Sequence, residues 1–136
     1  MPNPTPQTTY LRDYTPPTFL VESVALDIDI QAAHTLVRAT LKIVRNPLAP
    51  TPGPLVLAGD SLQLLSVSLD GQALPPDAFE VSADALTLHH VPTRFTLSTA
   101  VKIDPEQNTQ LMGLFASQDG YFTQCEAEGF RRITFF

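Results

Sequence analysis

The densest group of chemically capable side chains lies near the end of the chain. There Thr123-Gln124-Cys125-Glu126-Ala127-Glu128-Gly129-Phe130-Arg131-Arg132 sets two carboxylates two positions apart, with an amide before them and two guanidinium groups behind. Such a set suffices to build a small charged pocket at a strand end. It equally suits a solvated loop closed by local ion pairs, and residue types alone leave both readings open. The other reactive side chains form no recognisable site. A zinc centre of the HExxH type needs two histidines one helical turn apart and a glutamate beside the first. Here His34 precedes Thr35, and His89 and His90 are adjacent, so as strand neighbours they would point to opposite faces. The three histidines therefore read as strand or turn residues at a polar edge. Cys125 has Glu126 beside it, an anion that opposes thiolate formation, and reads as a structural thiol. Neither GxGxxG nor GxxxxGK[ST] occurs, which removes support for nucleotide binding.

The elements that must position these residues are strands. Thirteen prolines and six glycines punctuate the chain, and the runs between them are rich in Val, Leu, Ile, Thr and Phe with a period of two. Val24, Leu26, Ile28 and Ile30 alternate with Ala25, Asp27 and Asp29, and Val37, Ala39, Leu41 and Ile43 alternate with Arg38, Thr40 and Lys42. Joined by a short link at Gln31 to Ala33, the two runs suit an antiparallel hairpin in which Asp27 and Asp29 sit across from Arg38 and Lys42. Pro47, Pro50, Pro52 and Pro54 make 47–54 a loop, since proline cannot donate to a ladder. Short strands are expected over 55–57, 62–69, 79–81 and 86–90, with Asp70-Gly71 as the clearest turn. The spacing of Leu62, Leu65 and Leu69 is helical, but the Ser-Val-Ser run between turns favours strand. A long alternating strand covers 95–103, and 111–115 with 121–125 forms a final hairpin. The fold class expected is all-β, built of antiparallel sheets.

With 136 residues the chain suits one domain or part of one. A formal charge of −6 argues against nucleic acid as a main partner. No run approaches the roughly 18 apolar residues of a membrane-spanning helix, and residues 1–9, with Pro2, Pro4 and Pro6, lack the features of a secretion signal and read as a flexible arm. A single cysteine excludes an internal disulfide framework and fits a reducing compartment, so a cytoplasmic location is expected. The chain closes on Arg131-Arg132-Ile133-Thr134-Phe135-Phe136, an apolar end that reads as truncated.

Gln118 to Thr134 resembles the TQCEAEGFRxIT signature of bacterial aminopeptidase N, a gluzincin zinc metallo-aminopeptidase. Tyr10-Leu11-Arg12-Asp13-Tyr14-Thr15-Pro16-Pro17 is similar to that family's RxDYxxP opening, and the 24–43 hairpin and Pro92 to Leu97 also read like it. The resemblance implies a sandwich-like or saddle-like N-terminal β domain, partial here over 10–136, that packs on a thermolysin-like catalytic domain. It further implies that Glu126 helps to bind the substrate's free amino terminus and that Gln124 lines the same pocket. An α-ammonium wants carboxylate acceptors, and a carboxylate closing one end of a cleft enforces release of one residue at a time. The family's HExxH site, its further glutamate ligand, its GxMEN loop and its transition-state tyrosine are absent from 1–136. Zinc is thus expected in the parent enzyme and not in this chain, which alone should be inactive. The alternative is a non-catalytic β-sandwich that binds protein or carbohydrate through its loops. A truncated chain would also expose apolar faces, and self-association through a sheet edge or the Phe130 to Phe136 tail is expected.

Overall fold

The computed structural model describes residues 6–136. Of the expected arm, 1–5 lie outside the described residues, and 6–9 are exposed and form no regular element. The molecule is all-β, as the alternation predicts. Its largest sheet has five antiparallel strands. Strands β1 (Phe19–Ile30) and β2 (Thr35–Arg45) form the expected hairpin, closed by the Gln31 N–H donating to the His34 carbonyl at 2.9 Å. Strand β8 (Arg94–Ile103) pairs with β2, β4 (Gln63–Leu69) with β8, and β5 (Gln72–Ala73) with β4 across the Asp70-Gly71 turn. Both turn residues have positive φ, 48° and 82°, which suits a two-residue hairpin. Asp27 faces Arg38, and their side chains meet at 3.3 Å. The second expected pair does not form: Lys42 stands opposite Ser23, and the Asp29 carboxylate accepts from the Gln31 amide.

Two bulges decide which side chains turn inward. Register shifts between Val21 and Ser23, so Glu22 is the extra residue. Phe19 and Val21 before it then share a face with Val24, Leu26, Ile28 and Ile30 after it, although the two sets differ in parity. In β4 the extra residue is Leu65, between Leu64 and Ser66. The leucine spacing that resembles a helix is a strand whose inward positions run Leu64, then Val67 and Leu69, with Leu65 half-exposed.

A second sheet has three strands in the order β3 (Leu55–Ala58), β7 (Ala85–Leu88) and β6 (Phe79–Val81). Leu55, Leu57, Leu86 and Leu88 of this sheet share one buried core with Val37, Leu41, Ile43, Val67, Phe95, Leu97 and Val101 of the first. The arrangement is a sandwich. The chain crosses between sheets at 46–54, 59–62, 74–78 and 89–93, so the proline-rich loop does its work by leaving one ladder before joining the other. The expected strand over 86–90 ends at Leu88. His89 and His90 therefore leave the ladder, and both line one pocket beside the 52–54 loop instead of pointing to opposite faces.

The third sheet is a two-stranded ribbon, β9 (Gly113–Ser117) and β10 (Gly120–Gln124), within a residue or two of the predicted hairpin. Beyond it a 3-10 turn spans Gly129–Arg132, and the chain runs back into the core. The expectation of an exposed apolar tail is overturned for most of its length. Ile133, Thr134 and Phe135 are buried, and Phe136 exchanges both backbone hydrogen bonds with Ala58 at the edge of the second sheet. Phe135 lies against Gly59 so closely that a side chain there would overlap its ring. Burying a phenylalanine contributes about 1.5–3 kcal/mol, so this tail holds the fold together and offers only Phe136 for association. The uncovered apolar surface is on β1. Val24, Leu26, Ile28 and Ile30 keep 38–44% of their area exposed, on the same face as the fully buried Val37 and Leu41 opposite them.

Candidate functional site

Glu126 and Gln124 sit where β10 ends. Gln124 is the last residue of the strand, paired with Gly113 at the base of the ribbon, and the following loop turns into the 3-10 segment. The Gln124 side-chain amide donates to the Glu126 backbone carbonyl at 3.1 Å, and the Gly129 N–H donates to the Cys125 carbonyl at 2.7 Å. The Glu126–Ala127 peptide bond is cis. Cys125 packs its half-buried thiol side chain on the core, while Gln124, Glu126, Ala127 and Glu128 are exposed.

Two glycines permit this corner. A Cβ on Gly129 would overlap the Gln124 carbonyl oxygen and stand 3.1 Å from the Gly113 nitrogen. Gly113, at φ +77°, would bring a Cβ to 2.7 Å from that of Arg132. The loop therefore rests backbone to backbone on the ribbon. Its far end is tied to the first turn after β3. Arg132 Nη1 lies 2.7 Å from Asp60 Oδ2, with the arginine side chain only 18% exposed, and the Asp60 N–H donates to the Arg131 carbonyl at 2.9 Å. Asp60 escaped the sequence reading. It lies 72 positions from Arg132, and no local pattern announces such a pair.

This bracing sorts the charges that the sequence left ambiguous. Arg132 is taken by Asp60, and Arg131 by Glu128 at 3.5 Å, an exposed pair of small worth. Among the described residues, Glu126 has no cationic partner and its carboxylate accepts no hydrogen bond, and the Gln124 amide oxygen likewise accepts none. Of the two carboxylates in the motif, the one at 126 is thus the one without a partner among the described residues. Nearby, β10 is exposed at Tyr121 and Phe122, the latter stacked on Phe115 across the ribbon at 6.0 Å. The Tyr121 hydroxyl donates to Glu106 at 3.0 Å, which raises the phenol above its usual pKa because the bond and the carboxylate's charge both disfavour phenolate.

The architecture and this corner define a class: the chain has the fold of the N-terminal domain of M1 aminopeptidases. It superposes on aminopeptidase A from Legionella pneumophila, solved with aspartic acid, with a TM-score of 0.87 and 28% identity over 93% of this chain. The yeast leukotriene A4 hydrolase (TM-score 0.69, 17% identity, 87% of this chain) and an M1 zinc metallopeptidase variant from Deinococcus radiodurans bound to a Tyr-Ser-Ala substrate (0.66, 16%, 86%) share the fold. By sequence, the chain is a homologue of part of aminopeptidase N. It is 43% identical to that enzyme from Caulobacter vibrioides over 97% of this chain, and 39% identical to the Escherichia coli enzyme over 96%. The chain spans about 15% of the length of these relatives. No family model matches it. The relatives are zinc metallopeptidases, yet among the described residues no three His, Cys, Asp or Glu side chains gather where a metal ion could be held. The described residues do not fit a zinc centre.

Proposed function

We propose that this chain is the scaffold and substrate-recognition part of a cytoplasmic zinc-dependent aminopeptidase that removes single residues from the amino termini of peptides. Glu126 accepts the α-ammonium of the substrate, with the Gln124 amide oxygen as a second acceptor. The zinc and its ligands would belong to a catalytic domain that docks against this side of the molecule, and the metal would supply Lewis-acid chemistry there. The observation that carries the reading is the unpaired carboxylate of Glu126 in a motif whose other charges are matched. An ammonium group has three donors and gains most from fixed anionic acceptors. A corner braced by Asp60, Arg132 and two close-packed glycines supplies such fixity. No general base or nucleophile is assigned within this chain. Its share of catalysis is to set the distance between the substrate's amino terminus and the first peptide bond.

The test is kinetic. In the complete gene product, Glu126→Gln keeps the shape and removes the charge. A charged hydrogen bond contributes about 1.5–3 kcal/mol, so kcat/KM on aminoacyl anilides should fall roughly 10- to 100-fold, with KM raised. N-acetylated aminoacyl anilides lack the ammonium and should be poor substrates for both forms, with little further loss from the change. Unchanged kinetics on free-amine substrates would remove Glu126 from the mechanism.

A further inference from the structure

The inward positions of β2 are Thr35, Val37, Ala39, Leu41 and Ile43, all 0–1% exposed, and the next inward position holds Arg45. A guanidinium at the end of a core-facing row needs an anion. Arg12, Arg38, Arg94, Arg131 and Arg132 each have a carboxylate partner. Among the described residues Arg45 alone of the arginines has none, and its Nη1 is shut away from solvent without a hydrogen-bond acceptor. Its guanidinium lies 4.8 Å from the centroid of the Phe19 ring, which is itself held edge-on by Phe95. That contact fixes the group in place but satisfies no N–H.

Two crossings between the sheets meet at this end of the sandwich, 46–54 leaving β2 and 89–93 entering β8. They border an open recess of about 380 Å³ whose lining includes Arg45, Pro52, Pro54, His89, His90 and the apolar Val91. A second, of about 280 Å³, adjoins it through Arg45 and Pro52. His89 Nε2 is 3.2 Å from Glu80, whereas His90 has no side-chain partner among the described residues. In a protein of net charge −6, a permanently charged fork and two imidazoles border one recess that has no carboxylate among its lining residues, the exposed Glu80 reaching His89 from outside that lining.

We propose that this recess binds an oxyanion, seated against the Arg45 fork with the His90 imidazole as a further donor. Planar guanidinium matches carboxylate and phosphate alike by paired N–H donors. The oxyanion is either a free small anion or a carboxylate from another stretch of polypeptide that packs here. The site is separate from Glu126, which answers a cation, and neither reading depends on the other.

The experiment follows the Arg45 Nε–H and the His89 and His90 ring signals by NMR in this chain, at constant ionic strength. Inorganic phosphate and N-acetylaspartate amide are the probes, with chloride as the control. Saturable shifts confined to these three residues support the site. Tighter binding of phosphate identifies a free anion as the occupant, and tighter binding of the aspartate analogue identifies an acidic side chain. Arg45→Lys keeps the charge but loses the fork and should weaken binding by about tenfold, and His90→Gln, at an exposed position that leaves the fold intact, should weaken it less. Shifts that do not saturate, that chloride reproduces, or that persist with unchanged affinity in both variants would overturn the proposal.

Discussion

Replacing Gly129 with alanine would drive a methyl group into the Gln124 carbonyl oxygen, and the Gly113 nitrogen 3.1 Å away closes the other side. Both obstacles are backbone, part of a hydrogen-bonded ribbon, so no side chain can swing aside. The 125–129 corner has to move, and the 2.7 Å bond from the Gly129 N–H to the Cys125 carbonyl stretches with it. Forced overpacking of this kind costs about 1–3 kcal/mol. Unfolding entropy near 2.1 cal/mol/K per residue makes 2 kcal/mol equal to a drop of about 7 °C in Tm for a chain of 136 residues. Gly53→Ala is the internal control. It lies in the proline-rich loop with nothing within 4 Å of the added atom and no positive φ, so a change of about 0.5 kcal/mol or less is expected. Thermal unfolding by circular dichroism compares the two, and urea titration checks that the slope is unchanged. If Gly129→Ala melts with Gly53→Ala, the corner is not held by backbone contact, and the claim that it presents a rigid Glu126 fails with it.

Two further outcomes follow from the surface. Ultraviolet titration should show the Tyr121 phenol ionising above the ordinary tyrosine value, and Glu106→Gln should lower it. The stability that the Tyr121–Glu106 bond contributes is complete below about pH 10, the ordinary tyrosine value, and is lost as pH climbs through the raised pKa of Tyr121. A Glu106→Gln protein that titrates like the original would show that the bond is absent in solution. The β1 edge, twelve residues long with an apolar row on its core-facing side, should pair with a second copy at high concentration. Light scattering should then find dimers that Leu26→Lys with Ile28→Lys abolishes, and a strict monomer of the unaltered chain would refute this use of the edge.

The alternation of Val37 to Ile43 and of Phe95 to Ile103 is enough to identify strands, because a period of two admits only one backbone that sorts these residues to opposite faces. The same holds for the 24–43 hairpin, the 47–54 loop and the Asp70-Gly71 turn, whose signals are local. The QCEAEG run likewise carried the family likeness in its own letters, and with it the interest in Glu126 and Gln124.

What the letters could not carry is everything settled between distant segments. Whether Leu55 to Ala58 joins β8 or β7, whether Phe135 ends in water or under Gly59, and whether Arg132 answers Glu128 or Asp60 depend on contacts separated by tens of residues. A bulge of one residue, at Glu22 or Leu65, reverses the inward parity of all that follows and leaves no local mark. Residue types alone, without the family likeness, offered two carboxylates as equals. In the tertiary structure Arg131 pairs with Glu128 and Arg132 with Asp60, which leaves the charge at 126 without a partner among the described residues.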